Sequence, residues 1–366
     1  MSEIRIAQIM GKWLGGGVES VVMNYYRNID RTKVQFDFFC DSDSTCIPYE
    51  EIESLGGKVI IIPPYQKIID YRKALKLELK KGNYKIVHSH ISTMSIFPLQ
   101  IAKKAGIPIR IAHCHSTTNK KDFKKNILKH ILRPFSKTFS THYMCCSKLA
   151  GEWLFGKKTY KAGKVYLLNN AINCEKFSYD LNKRLKIRNE LNIANDCLVI
   201  GHIGRFVTQK NHKFLINIFS EIKKINKNSL LLLVGLGPLF EDIKNYVSEK
   251  NLENSVKFLN QRNDADYLYS AFDVFVLPSL YEGLPVVGVE AQCADLNCYF
   301  SDQMTEETKI IDKTRFLSLD SAICWANSIL SFNFNSRCSR KLELKSANFD
   351  IKTEAIKLEN YYLDKY

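Results

Sequence analysis

No stretch of this 366-residue chain approaches the roughly 18 consecutive apolar residues of a membrane-spanning helix. The first ten residues, MSEIRIAQIM, lack the apolar core of a secretory signal. The cysteines, eleven of them, include no CxxC pair and only one vicinal pair, Cys145-Cys146. That scatter fits neither a disulfide framework nor a zinc site and points to a reducing compartment. Low-complexity sequence and short internal repeats are also missing. Acidic residues fall short of basic ones, 38 against 53, which leaves a net charge of +15. Such a balance calls for anionic partners: nucleic acid, phosphorylated ligands or an acidic membrane surface. The expected location is the cytoplasm, with attachment to the inner face of the plasma membrane as a further expectation.

What is present is a chain longer than one core usually holds, with ordinary hydrophobic content and plentiful aromatics, so two domains are expected. Ile4 to Met10 alternates as a strand, Gly15-Gly16-Gly17 makes a turn, and a helix runs from there to Tyr26. Strand, glycine turn and helix together suit an anion at a helix N-terminus. Further strands are expected at Gln35–Cys40, Val59–Ile62, Ile86 to His90, Ile109–Cys114, Tyr143–Cys146 and Val165–Leu168. Strands alternating with helices predict an α/β protein with parallel sheets, whose ligands sit beyond the carboxyl ends of the strands. His88, His90, His115, Ser147 and Asn170 all fall there. After a polar, irregular segment near residues 173–196, the same rhythm resumes with a strand at Leu198–Ile203.

The most informative stretch is Asp273 to Gln292, DVFVLPSLYEGLPVVGVEAQ. It reads as a buried strand, a loop and a helix that is apolar nearly all round. Glu290 lies within that helix, and a carboxylate in such a place must be paired or bound. A ligand with hydroxyl donors would serve. Glu282 stands eight positions earlier, in the loop. Arg205 and Lys210 follow the Leu198–Ile203 strand and flank the start of a helix. A guanidinium fork and a point charge suit a diphosphate, whose charge grows as it leaves. A phosphate at the helix N-terminus, a ribose near Glu290 and a second sugar near Glu282 follow the order of parts in a nucleotide diphosphate sugar.

These residues resemble the retaining GT-B glycosyltransferases of the large family-4 group. Glu282 to Glu290 fits that group's E-x7-E motif. Gly15-Gly16-Gly17-Val18-Glu19 looks like its N-terminal glycine loop, and His115 in HCHS sits at its active-site histidine. Cys146-Ser147, Asn169 to Phe177, Gly204-Arg205 with Lys210-Asn211, and Val234 to Pro238 also match in spacing and type. More narrowly, Ser301-Asp302, Thr305-Glu306-Glu307, Phe316-Leu317 and Trp325-Ala326 look like transferases of capsular or exopolysaccharide assembly. The resemblance implies two Rossmann-like domains facing across a cleft. An acceptor-binding domain would span residues 1–175 and a nucleotide-sugar domain 196–347, with a C-terminal helix over 348–366 crossing back. It implies Arg205 and Lys210 on the donor diphosphate, Glu290 on the ribose, Glu282 on the donor sugar, and Gly283 and Leu284 beside it. It further implies His115 on the sugar, Gly16 and Gly17 near phosphate and acceptor, and no metal or other cofactor. The acceptor would be a lipid-linked or oligosaccharide glycan.

The chain departs from the family pattern at Asn169, Ala171 and Asn173, which replace Pro, Gly and Asp. It departs again at Ala294-Asp295-Leu296-Asn297, where a glycine and a proline are usual. The second departure predicts a reshaped loop after the donor helix and is the support for a rival reading, a non-catalytic GT-B scaffold that docks on a partner transferase. A nicotinamide-dependent oxidoreductase, with Asp41 on a ribose, is another rival; the incomplete glycine fingerprint opposes it. Residues 120–139 form a basic amphipathic segment. Phe123, Ile127, Leu128, Ile131 and Leu132 share one side and Lys125, Lys129 and Arg133 the other, so the segment is expected to lie on an anionic membrane. Basic residues here cluster with apolar ones rather than with stacking aromatics, which counts against nucleic acid.

Overall fold

A computed structural model describes residues 3–115, 123–331 and 336–366; for 123–126 it describes the backbone alone. Lys120, Ser116 and the side chains of Phe123 and Lys125 thus lie outside the described residues. The chain divides into two compact units, residues 1–171 with 351–366, and residues 172–350.

The first unit runs β1 (Ile4–Gly11), α1 (Gly17–Asn28), β2 (Val34–Asp41), α2 (Tyr49–Ser54), β3 (Lys58–Ile62), α3 (Ile68–Lys81), β4 (Ile86–Ser89), α4 (Ile96–Lys104), β5 (Ile109–Cys114), α5 (Phe123–Leu132), β6 (His142–Cys145), α6 (Lys148–Phe155), α7 (Lys157–Lys161) and β7 (Val165–Leu167). Its seven strands lie in the order β3-β2-β1-β4-β5-β6-β7, and every pairing is parallel. Strands covered on both faces need apolar residues throughout, so the buried polar ones require partners. Asp37, inside β2, has them: it accepts from Arg5 Nε at 2.9 Å and from the Tyr84 hydroxyl at 2.7 Å.

The second unit runs α8 (Cys174–Phe177), α9 (Leu181–Glu190), β8 (Leu198–Ile203), α10 (His212–Ile225), β9 (Ser229–Val234), α11 (Phe240–Glu249), β10 (Val256–Phe258), α12 (Ala265–Ala271), β11 (Val274–Leu277), α13 (Val286–Cys293), β12 (Asn297–Ser301), β13 (Thr314–Leu317), α14 (Ala322–Leu330) and α15 (Lys341–Ser346). Its parallel sheet has the order β10-β9-β8-β11-β12-β13. The core joins Phe206, Phe219, Tyr299 and Trp325 to the aliphatic side chains of β8, β9 and β11. Each such fully buried side chain contributes about 1.5–3 kcal/mol. The last helix, α16 (Ile351–Lys365), belongs to the first unit and packs on α1 and β2.

In both sheets the strand order reverses between two neighbours, β1 and β4 in the first and β8 and β11 in the second. Such switch points open crevices at the carboxyl ends of the strands.

Two of the departures from the family pattern have a physical account. Asp295 adopts the left-handed conformation itself, at φ +54°. Its short polar side chain tolerates that region, so the turn after α13 forms without glycine. The buried carboxylate accepts from Lys313 Nζ at 2.8 Å, Arg340 Nε at 2.7 Å and the Cys338 amide at 2.7 Å, tying residues 338–340 to the end of α13. Asn173 caps α8, accepting from the amides of Glu175 and Lys176 at 3.1 and 3.0 Å. An aspartate would make the same bonds.

Candidate active site

In the second unit the four charged candidates lie on the elements that flank the switch point, the loops after β8 and β11 and helix α13. Arg205 follows β8 on a loop clasped by the loop after β9. Phe206 N donates to Leu236 O and Leu239 N to Phe206 O, each at 3.0 Å. The clasp requires glycine: a Cβ on Gly235, at φ +135°, would stand 2.2 Å from Gly204 O. Arg205 is exposed and makes no ion pair among the described residues. Lys210 reaches the loop after β11, where its Nζ donates to Glu282 Oε1 at 2.7 Å; Gln209 Nε2 donates to the other oxygen at 3.1 Å. The pair is largely buried, with side chains 14% and 10% exposed. The family resemblance assigns Lys210 and Glu282 to separate ligand groups; here they hold each other. Gln209 was not singled out, yet it also donates to Tyr281 O at 2.9 Å, while Leu280 N donates to Gln209 O at 2.8 Å. It thus fixes the loop that carries Glu282, Gly283 and Leu284, the last two both buried.

Glu290 lies on α13 and is partly buried. Its Oε2 accepts from the Tyr269 hydroxyl at 2.8 Å. Dense enclosure by protein pushes its carboxyl up to about 7, against the opposing pull of that bond and of Lys176. A group so placed lacks a full set of donors, and hydroxyl donors from a ligand would favour its charged form.

In the first unit the switch point is made of neutral groups. Gln8 on β1, His88 on β4 and Ile111 on β5 stand in register. By the period of two, Gln8, His88, His90, His113 and His115 then share one face of the sheet. Tyr362 of α16 meets them there. His115 Nε2 and His90 Nδ1 are 2.9 Å apart, His90 Nε2 and Gln8 Oε1 2.8 Å. Gln8 Nε2 donates to the Tyr362 hydroxyl at 3.3 Å, which lies 2.6 Å from His88 Nδ1. His88 Nε2 is 3.1 Å from His113 Nδ1. Burial holds all four imidazoles neutral, with His115 lowered to about 3. His88, His90 and His113 bring ring nitrogens within 4.8 Å of one another, the spread of a metal site. Five of their six nitrogens are already in hydrogen bonds, so the trio is read as a hydrogen-bonded cluster. His115 also lines a cavity of about 220 Å³ with Thr93, Lys129 and Trp153.

The remaining predicted residues have simpler places. Gly15, at φ +69°, needs glycine. Gly16 is the N-cap of α1, and a Cβ on Gly17 would meet nothing within 4 Å, which leaves that face open. Ser147 caps α6, accepting from Ala150 N at 3.2 Å. Asp41 ends β2 buried, its carboxyl pushed up to about 6 by burial. An acidic triplet, Asp41-Ser42-Asp43, closes β2, and Asp43 pairs there with Lys12 at 2.8 Å.

Two α/β units with parallel sheets and polar switch points define the architecture of a GT-B transferase. Residues 15–176 match Glycosyltransferase Family 4, and residues 183–316 match glycosyl transferases group 1. The chain belongs to this family of glycosyltransferases. EpsF of Bacillus subtilis, named as a glycosyltransferase, is 36% identical over 338 residues, spanning 90% of this chain and 87% of its own. A UDP-Gal:alpha-D-GlcNAc-diphosphoundecaprenol alpha-1,3-galactosyltransferase of Escherichia coli is 27% identical over 82% of this chain and 80% of its own. The crystal structure of Anabaena HepE in complex with UDP and glucose shares the fold, with a TM-score of 0.81 over 98% of this chain and 99% of that one at 16% identity. Family membership removes the oxidoreductase reading.

Proposed function

We propose that the protein is a retaining, metal-independent glycosyltransferase that moves a sugar from a nucleoside diphosphate sugar to a lipid-linked glycan during cell-surface polysaccharide assembly. One observation supports this reading: Lys210 pairs with Glu282 between the loops that follow β8 and β11, the two strands of the switch point, and Arg205, on the first of those loops, makes no ion pair among the described residues. Arg205 and Lys210 neutralise the leaving diphosphate, where charge grows in the transition state. Glu290 takes ribose hydroxyls, Glu282 reads the donor sugar, and Gly283 and Leu284 line it. From the first unit, His115 meets the sugar, and Gly16 and Gly17 lie near phosphate and acceptor. The acceptor oxygen bonds to the anomeric carbon on the face from which the diphosphate departs. The leaving phosphate accepts the hydroxyl proton, so configuration is retained. Relatives named for UDP-Gal transfer to a diphosphoundecaprenol sugar, or solved with UDP and glucose, support uridine as the first nucleotide to test. A screen of UDP-, GDP- and dTDP-sugars for thermal stabilisation is the test. A donor at 100 times its Kd adds about 2.7 kcal/mol. No stabilisation by any of them would overturn the reading. Product anomer and turnover in EDTA check retention and metal independence.

A membrane role for α5 has its own support. Ile127, Leu128, Ile131 and Phe135 are 42–57% exposed. Arg133 instead stacks on Trp153, 5.6 Å from its ring, and Lys129 is partly buried. The side offered outward is thus the apolar one, which suits shallow insertion beside anionic headgroups. No helix among the described residues is long and apolar enough to cross a membrane. Vesicles with anionic lipid should bind the protein. Ile127→Asp with Ile131→Asp should release it more than Lys129→Glu with Arg133→Glu, and the reverse ranking would refute insertion.

A further inference from the structure

The histidine cluster has a direction, and that direction ends on His115. An amide oxygen only accepts and an amide nitrogen only donates. Gln8 turns its oxygen to His90 and its nitrogen to Tyr362. His90 Nε2 must therefore carry a proton. The imidazole is neutral, so His90 Nδ1 is a lone pair and can only accept from His115 Nε2. His115 is neutral in turn, and its Nδ1 is left as a lone pair. That buried atom has no partner among the described residues. On the other side, the Tyr362 hydroxyl accepts from Gln8 and lies 2.6 Å from His88 Nδ1, and His88 Nε2 lies 3.1 Å from His113 Nδ1.

We infer that Tyr362 and Gln8 are positioning residues for His115: acting through His90, they fix its proton on Nε2 and leave Nδ1 to accept a hydroxyl of the bound sugar. Turning the Gln8 amide over would reverse every bond between Tyr362 and His115 and make Nδ1 a donor instead. Tyr362 opposes that reversal when it gives its proton to His88 Nδ1, 2.6 Å away, since the hydroxyl then meets Gln8 as an acceptor. The last helix of the chain, α16, thereby sets the polarity of a residue on β5. A sugar hydroxyl has both a proton and lone pairs, so the tautomer decides which hydroxyl orientation is held. The inference deepens the glycosyltransferase reading and rests on it for the identity of the ligand. The tautomer itself is a property of the protein alone.

The test uses the full-length protein labelled with 15N-histidine. Long-range 15N–1H correlation spectra separate Nδ1-protonated from Nε2-protonated rings, and a His115→Gln spectrum assigns the signal. The wild type should show His115 protonated on Nε2; protonation on Nδ1 overturns the inference. Tyr362→Phe removes one hydroxyl and keeps the ring. It should give a mixture of His115 tautomers and slow transfer from the donor UDP-galactose by up to about tenfold, the worth of one hydrogen bond. An unchanged His115 signal in Tyr362→Phe removes Tyr362 from the relay. Should that variant not fold, Gln8→Leu with the wild-type spectrum decides in the same way. Transfer unaffected by His115→Gln, with the tautomer as stated, would instead overturn the placement of His115 on the sugar and leave the relay standing.

Discussion

In the first unit six polar side chains meet at the switch point of the sheet, and none carries a formal charge at neutral pH; the elements that flank the matching place in the second unit carry two cations and two carboxylates. The first set is buried, the second is buried wholly or in part except for Arg205, and their contacts are of different kinds. The histidine cluster is satisfied by direction except at its ends, where His115 Nδ1 and His113 Nε2 have no partner among the described residues. The second set is satisfied by charge, as in the Lys210–Glu282 pair at 2.7 Å. Neutral groups that accept and donate suit hydroxyls, while an unpaired guanidinium suits a phosphate. The largest effect should come from breaking the charged side. Lys210→Ala removes a cation from the leaving diphosphate and should lower kcat about 10²–10³-fold. Leaving Glu282 without its cation should also cost stability, read as a lower midpoint in urea. If His115→Gln lowered kcat more than Lys210→Ala did, the division of labour between the units would be reversed.

Glu290 sharpens the comparison, because it is a carboxylate that behaves like the neutral set. Its pKa of about 7 lies above the ordinary glutamate value of 4.5. Between those values the unfolded chain binds fewer protons than the folded one, so folding stability falls as pH rises. Glu290→Gln should remove that slope. The variant should match the wild type below pH 4.5 and exceed it by on the order of 1–3 kcal/mol at pH 8. Nucleotide-sugar binding should weaken in the same variant. In the wild type, ribose hydroxyls should favour the carboxylate, so donor binding at pH 7 should release protons, visible as a buffer-dependent calorimetric enthalpy. Burial holds the four histidines of the first unit well below their ordinary value of 6.5, so they should add no inflection to the rate near that pH. A second inflection near 6.5 would place a charged histidine in the site.

How far the sequence discloses this can be judged residue by residue. The strands at Ile109–Cys114 and Leu198–Ile203 read correctly because apolar runs bounded by polar residues leave little choice. Glu290 was conspicuous as a carboxylate in an apolar helix. By contrast, α4 escaped notice, and so did β12, a strand paired on both sides, because Asn297 and Ser301 disguise its ends. Gln8, His113, Tyr362 and Gln209 could not be grouped by spacing, whereas His90 already stands with His88 and His115 at the strand ends. Gln8 and Tyr362 are 354 positions apart and meet only through the packing of α16 on the first sheet. The glycine missing at Asp295 looked like damage to a loop; in the fold that residue supplies both the backbone conformation and three hydrogen bonds.

Asp295 and Asn173 give the smaller tests, since both use polarity for structure rather than for a ligand. Asp295→Gly restores an easy left-handed turn but strands Lys313 and Arg340 and frees the Cys338 amide. Losing those bonds should outweigh the relief, for a net loss of about 1–3 kcal/mol in urea unfolding. Asn173→Asp keeps the same two cap bonds and adds only a charge. Because α8 spans just Cys174–Phe177, it has little macrodipole for that charge to meet. Stability should therefore change by less than about 0.5 kcal/mol. A gain above 1 kcal/mol would mean that charge, and not hydrogen-bond direction, governs this cap, and the distinction between the two kinds of polarity would fail at its weakest point.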